Sequence, residues 1–141
     1  MTDTLDIPSL LKALDNDNNE NIMDLDLDKI NKIKNDIISE LDLTEEKHET
    51  IMNSLIEYKY IDEIPDLDYG HYIRWIPLKD PSNIKLTNGG ILCDIKVNDQ
   101  VSLLCKNKLN RFFQIKMDEC LIFQKLSEQE KIILNVINYL K

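Results

Sequence analysis

Apolar positions recur with a helical period over the first sixty residues and then alternate one by one, so the chain predicts helices first and strands afterwards. Pro8 to Leu14 reads as a short helix with proline in its first turn, and residues 15–21 read as a polar linker. Ile30, Ile33, Ile37, Ile38 and Leu41 form the apolar stripe of a helix opening at Asp28, with Lys29, Lys32, Asp36 and Glu40 on its other side. After a tight connection at Asp42 and Leu43, Thr44 stands as the N-cap of a second helix carrying Ile51, Met52, Leu55, Ile56 and Tyr58. The two predict an αα-hairpin.

Pro65 and Gly70 break the helical pattern, and the period then falls to two. Tyr72 to Ile76 reads as a strand, followed by turns at Asp80–Asn83 and Asn88–Gly90. Ile91, Cys93, Ile95 and Val97 alternate with polar or outward positions on the next strand, and Val101, Leu103 and Cys105 on the one after. A three-residue loop at Asn98–Gln100 would pair Val97 with Val101, Ile95 with Leu103 and Cys93 with Cys105, all on the buried face. Asn107–Asn110 turns again before a strand from Arg111 to Met117 and a shorter one from Cys120 to Phe123. Four or five short strands at this spacing predict a small antiparallel β-barrel or a strongly twisted meander. Ser127 and Glu130 form a capping box for a last helix, whose stripe of Ile132, Ile133, Val136, Ile137 and Leu140 is expected to pack on the sheet. The fold class is α+β, in three parts: an acidic short helix and linker over 1–26, the αα-hairpin over 27–62, and the barrel with its C-terminal helix over 69–141.

Charge divides the chain differently. Residues 1–60 hold 15 Asp and Glu against 6 Lys and Arg, so the whole net charge of −9 lies there; residues 61–141 hold 11 of each. Within them, residues 69–116 carry 8 basic residues against 3 Asp, with five aromatics interleaved. An acidic leader thus precedes a basic, aromatic-bearing segment, which bears on partners rather than on reaction chemistry. No apolar run approaches the ~20 residues that span a bilayer. Three cysteines without a Cys-x-x-Cys pair point to a reducing compartment rather than to a disulfide scaffold or zinc ribbon.

Small barrels bind single strands by stacking bases and tracking phosphates, and the basic segment supplies such a mixture. Arg74, Trp75, Lys106, Lys108, Arg111 and Phe112 are the candidate binding residues. Phe113 alternates with Ile115 and Met117 and reads as core, whereas Phe112 shares a face with Gln114 and Lys116. Asp15, Asp17, Asn19 and Asp26 have the spacing of a calcium loop, but Glu20 stands where that loop needs glycine, so the stretch reads as a solvated acidic linker. The second helix of the hairpin is too acidic to enter a major groove. His48 and His71 have no ligand-spaced partner, and Cys93 and Cys105 read as small core residues. No catalytic motif is present, and no cofactor or metal is called for.

Gly70–Ile76, the Asn88–Gly90 turn and Ile122–Glu130, with the bias toward residues of AT-rich codons, resemble small uncharacterised proteins of nucleocytoplasmic large DNA viruses over residues 69–140. The resemblance implies a viral factor in the host cytoplasm or virion and carries no functional residue across. The leading expectation is a non-enzymatic module that recruits or scaffolds a protein partner. The alternative is a small barrel that binds single-stranded nucleic acid under control of the acidic leader.

Overall fold

The computed structural model describes residues 7–14 and 26–140. It is an α+β fold with one antiparallel six-stranded sheet. The elements are α1 (Ile7–Leu14), α2 (Leu27–Ser39), α3 (Glu45–Ser54), β1 (Tyr58–Ile61), β2 (Tyr72–Pro77), β3 (Gly90–Val97), β4 (Val101–Lys106), β5 (Phe112–Lys116), β6 (Cys120–Lys125) and α4 (Glu128–Tyr139). In space the strands run β1-β6-β2-β3-β4-β5. Strands β2 to β5 form the expected meander, but β6 returns to the middle of the sheet between β1 and β2.

The expected barrel does not close. β1 and β5 are the two edges, and no hydrogen-bonded pair joins them. Yet the sheet is far from flat. In a flat sheet β5 and β6 would lie about 19 Å apart, while the chain from Lys116 to Cys120 reaches at most about 14 Å. The connection, a single 3-10 turn over Met117–Glu119, therefore forces the sheet to curl. Its inner face holds Ile61, Ile73, Trp75, Leu92, Leu103, Cys105 and Ile122, sealed by Leu67. On the outer face, Ile76, Leu121 and Phe123 pack against Ile38 of α2 and Ile51 and Leu55 of α3. The helices cover only the β1-β6-β2 half.

Local signals set the element boundaries as expected. Thr44 accepts a hydrogen bond from the Lys47 amide at 3.3 Å. Ser127 accepts from the Glu130 amide, and the Glu130 carboxylate from the Ser127 amide, both at 3.0 Å. The three-residue loop pairs Val97 with Val101 and Ile95 with Leu103, as its length requires. The α2 N-cap is Asp26, two residues before the predicted start, and its carboxylate accepts from the Lys29 amide at 2.7 Å. The rest of the calcium-like stretch, residues 15–25, lies outside the described residues. Among the described residues no group of three His, Cys, Asp or Glu is placed to hold a metal ion, and no helix is long and apolar enough to cross a membrane.

Several expectations need correction. Tyr58 does not extend the second helix; α3 ends at Ser54, and Tyr58 to Ile61 form an edge strand against β6. The linker-like stretch at 64–70 is tied down, because the buried Gln124 side chain accepts from the Asp68 amide at 2.9 Å and Leu67 enters the core. Helix α1 is no detached extension, since Ala13 is buried in a cluster with Ile30, Leu126, Ile133 and Leu134. Helix α4 accordingly turns its apolar stripe toward α1 and α2 at the rim of the sheet, burying Ile133 and Leu134 and leaving Leu140 exposed. Phe113 is 45% exposed on the β5 edge rather than fully in the core.

Cys93 is the remaining correction. The register shifts between Leu92 and Asp94, so Leu92 faces Cys105 and Cys93 is the extra residue of a β-bulge. Cys93 is exposed while Cys105 is buried. Burial pushes the Cys105 thiol up to about 12 and, with help from Glu119 and Asp118, the Cys120 thiol up to about 11. A thiol reagent near neutral pH is therefore expected to label Cys93 quickly and the other two only on unfolding, counted by intact mass against time. Slow labelling of all three in the native protein would show that Cys93 lies inside, in register.

Candidate nucleic-acid interface

The site is built by register. On the outer face, Tyr58 pairs with Lys125, Tyr72 with Ile91, Ile91 with Lys106, and Lys106 with Phe112. Because Ile73 pairs with Gln124, Tyr72 falls beside Lys125. One row across all six strands thus reads Tyr58, Lys125, Tyr72, Ile91, Lys106, Phe112, with Lys125 and Lys106 each standing between rings or apolar groups. Measured along the curved sheet, five strand spacings make the row about 24 Å long. Phe112 is 60% exposed and Ile91 44%.

A groove of about 530 Å³ lies over the first half of this row, lined by Tyr58, Tyr72, Arg74, Lys108 and Lys125 with the turns at Asn88–Gly89 and Asn107–Leu109. Among the described residues three cations line it and no carboxylate does. Arg74 is held from behind: its Nε donates to the Thr87 carbonyl at 2.8 Å and its Nη1 to the Ser54 carbonyl at 3.4 Å. Gly89 makes room for it. At φ +81° a Cβ there would collide with the Ile73 carbonyl and lie 2.9 Å from Arg74 Cγ. Tyr72 donates its hydroxyl to the Asn88 carbonyl at 2.7 Å, which fixes the ring along the groove wall. Burial pushes the Tyr58 phenol up, against the pull of the Arg74 charge.

Beyond the groove, among the described residues, no helix packs over the outer face of β3, β4 and β5. Its rows are Ile91, Lys106 and Phe112; Asp94, Leu104 and Gln114; and Lys96, Ser102 and Lys116. The opposite end of the sheet carries the other sign, where Asp62, Glu63, Asp99 and Asp118 line a second cleft of about 580 Å³. An anionic ligand is therefore drawn to one end only.

Four of the six residues predicted from sequence meet here: Arg74, Lys106, Lys108 and Phe112. Trp75 does not, since it is 6% exposed and packs in the inner core. Arg111 is exposed but lies just before β5 and does not line the groove. Tyr58 and Lys125 were missed. Tyr58 lay in a predicted helix, and Lys125 lies outside the basic segment; only the non-local β1–β6 pair unites them. His48 meets only Asn35, with Nε2 and Oδ1 2.8 Å apart. Comparison with protein-family models, curated proteins and solved structures gives no match, so function rests on this geometry.

Proposed function

We propose that the protein binds single-stranded nucleic acid along the row from Tyr58 to Phe112, with phosphates at Arg74, Lys106, Lys108 and Lys125 and bases over Tyr72, Ile91 and Phe112. The observation that carries this reading is one sheet row in which Lys125 and Lys106 each stand between rings or apolar groups, beside a groove that no carboxylate of the described residues lines. A row of about 24 Å takes about four nucleotides, the lower end of what small sheet modules cover. Unpaired bases suit it better than duplex, whose bases are stacked away from such a surface. The resemblance to viral proteins adds the proposal of a host-cytoplasmic or virion setting. The protein-scaffold reading keeps one observation of its own, the uncovered β5 edge with Phe112 and Phe113 exposed.

Fluorescence anisotropy with labelled single-stranded RNA and DNA at low salt tests the proposal. Affinity is expected to fall with salt, and the triple change Lys106→Ala, Lys108→Ala, Lys125→Ala to flatten the log–log slope by about 2, at ~0.7 per phosphate contact on single strands. Phe112→Ala is expected to cost about tenfold if a base stacks on it. Absence of binding at low salt, or unchanged binding by the triple variant, would refute the proposal.

A further inference from the structure

The two sheet edges are treated differently. Edge strand β1 is covered by α2, which packs along it. Edge strand β5 has β4 on one side and, among the described residues, no element packed along the other. It also lacks the features that keep an edge single, having no proline, no bulge and only one charge, Lys116. Its exposed rings are Phe112 at 60% and Phe113 at 45%.

We propose that β5 pairs antiparallel with β5 of a second copy, joining two sheets into one of twelve strands. A twofold axis normal to the sheet keeps outer residues facing outer ones, so some residue of β5 must face itself. Placing Gln114 there lets all five residues pair; moving the centre to Phe113 or Ile115 leaves part of the strand without a partner. In the Gln114 register, Phe112 lies opposite the partner's Lys116 on the outer face, where ring and ammonium attract. Gln114 meets the partner's Gln114, and both side chains can donate and accept. On the inner face Phe113 lies opposite the partner's Ile115, an apolar pair of the kind that stabilises sheets. The one charge on the edge therefore meets a ring instead of its own copy, so it does not oppose this pairing. Beyond the strand, Arg111 falls opposite the partner's Met117 and beside the partner's Asp118, of opposite charge. The contact does not depend on nucleic acid. It would set the two outer faces side by side, so that the row ending at Phe112 runs on into the row that begins at the partner's Lys116.

A five-residue pair is smaller than the interface of a tight dimer, so the association is expected to be weak and concentration-dependent. Sedimentation velocity over a wide concentration range should show monomer passing to dimer without nucleic acid. Phe113→Lys should weaken that association about tenfold, since both copies of the apolar pair are lost. Register is tested by oxidative cross-linking in a Cys93→Ser background. Gln114→Cys should give a covalent dimer. Lys116→Cys should not, because each copy then faces Phe112 and lies four residues from its counterpart. A monomer at every concentration, a dimer indifferent to Phe113→Lys, or equal cross-linking by the two cysteine variants would overturn the proposal. Each outcome is read without nucleic acid, so it stands apart from the binding result.

Discussion

Glu130→Ala is expected to lower stability by about 3–5 kcal/mol, the cost of leaving one member of a buried ion pair alone. Lys59 of β1 donates to Glu130 Oε2 at 2.9 Å, and the two side chains are 8% and 2% exposed. The same carboxylate accepts from the Ser127 amide through Oε1, so one residue both caps α4 and pins it to the edge strand. Removing it leaves a buried ammonium without its partner and takes the acceptor from the Ser127 amide, half of the capping box. Thermal unfolding should show a drop in Tm of roughly 10 °C or more. The double change Lys59→Met, Glu130→Gln removes the charge while keeping an oxygen for the Ser127 amide, and should recover most of the loss. If it recovers none, the damage comes from the helix cap and not from the unpaired charge. The pair matters for the groove too, because Lys59 neighbours Tyr58 and, one residue beyond Glu130, Lys131 holds Glu57 at 2.7 Å.

Lys34→Met is expected to have the opposite sign, stabilising the protein near neutral pH by about 2–3 kcal/mol. Lys34 lies between Ile30 and Ile38 on the buried stripe of α2 and is 1% exposed. Its Nζ donates to the Leu55 carbonyl at 2.7 Å. That carbonyl also accepts from the Tyr58 amide at 3.0 Å, so methionine leaves it satisfied. Burial lowers the Lys34 ammonium from 10.5 to about 8. Below pH 8 the folded and unfolded chains both hold the proton, and the cost of burying the charge is present in full. Between 8 and 10.5 the unfolded chain holds more protons, so this residue's contribution rises with pH, by about 3 kcal/mol in all.

Wild-type stability alone will not show that rise. Burial raises the Cys105, Cys120, Tyr58 and Tyr60 groups, and each loses stability as pH climbs past its unfolded value. The difference between wild type and Lys34→Met cancels those shared contributions. It should shrink toward zero between pH 8 and 10.5 in denaturant titrations. A difference that stays constant across that range would mean the ammonium keeps its charge in contact with water.

Lys34 also marks how far a pattern reaches. Ile30 and Ile38 declare the buried stripe, and position 34 sits one turn from each, yet a lysine there reads as surface until a carbonyl from another helix is seen above it. Comparable limits hold for the candidate site. Arg74, Lys106, Lys108 and Phe112 stand out by composition, and alternation puts Phe112 on the polar side of its strand. Alternation cannot say that Trp75 falls on the inner face of a curled sheet, because both faces of β2 are covered where Trp75 and Ile76 lie.

The features legible from the residues alone are local. The N-cap at Thr44, the capping box at Ser127 and Glu130, the turns at Asp80, Gly89 and Asn107, and the loop register at Val97 and Val101 are all set by residues within a few positions of one another. Their energetics lie in backbone dihedrals and short hydrogen bonds that a linear reading can follow. The features that emerge on folding are non-local. The insertion of β6 between β1 and β2, the open edge at β5, the bulge that expels Cys93 and the row joining Tyr58 to Phe112 depend on which strands meet. That choice is made by burial of apolar area summed over the whole sheet, where any strand of suitable alternation competes for the same neighbours.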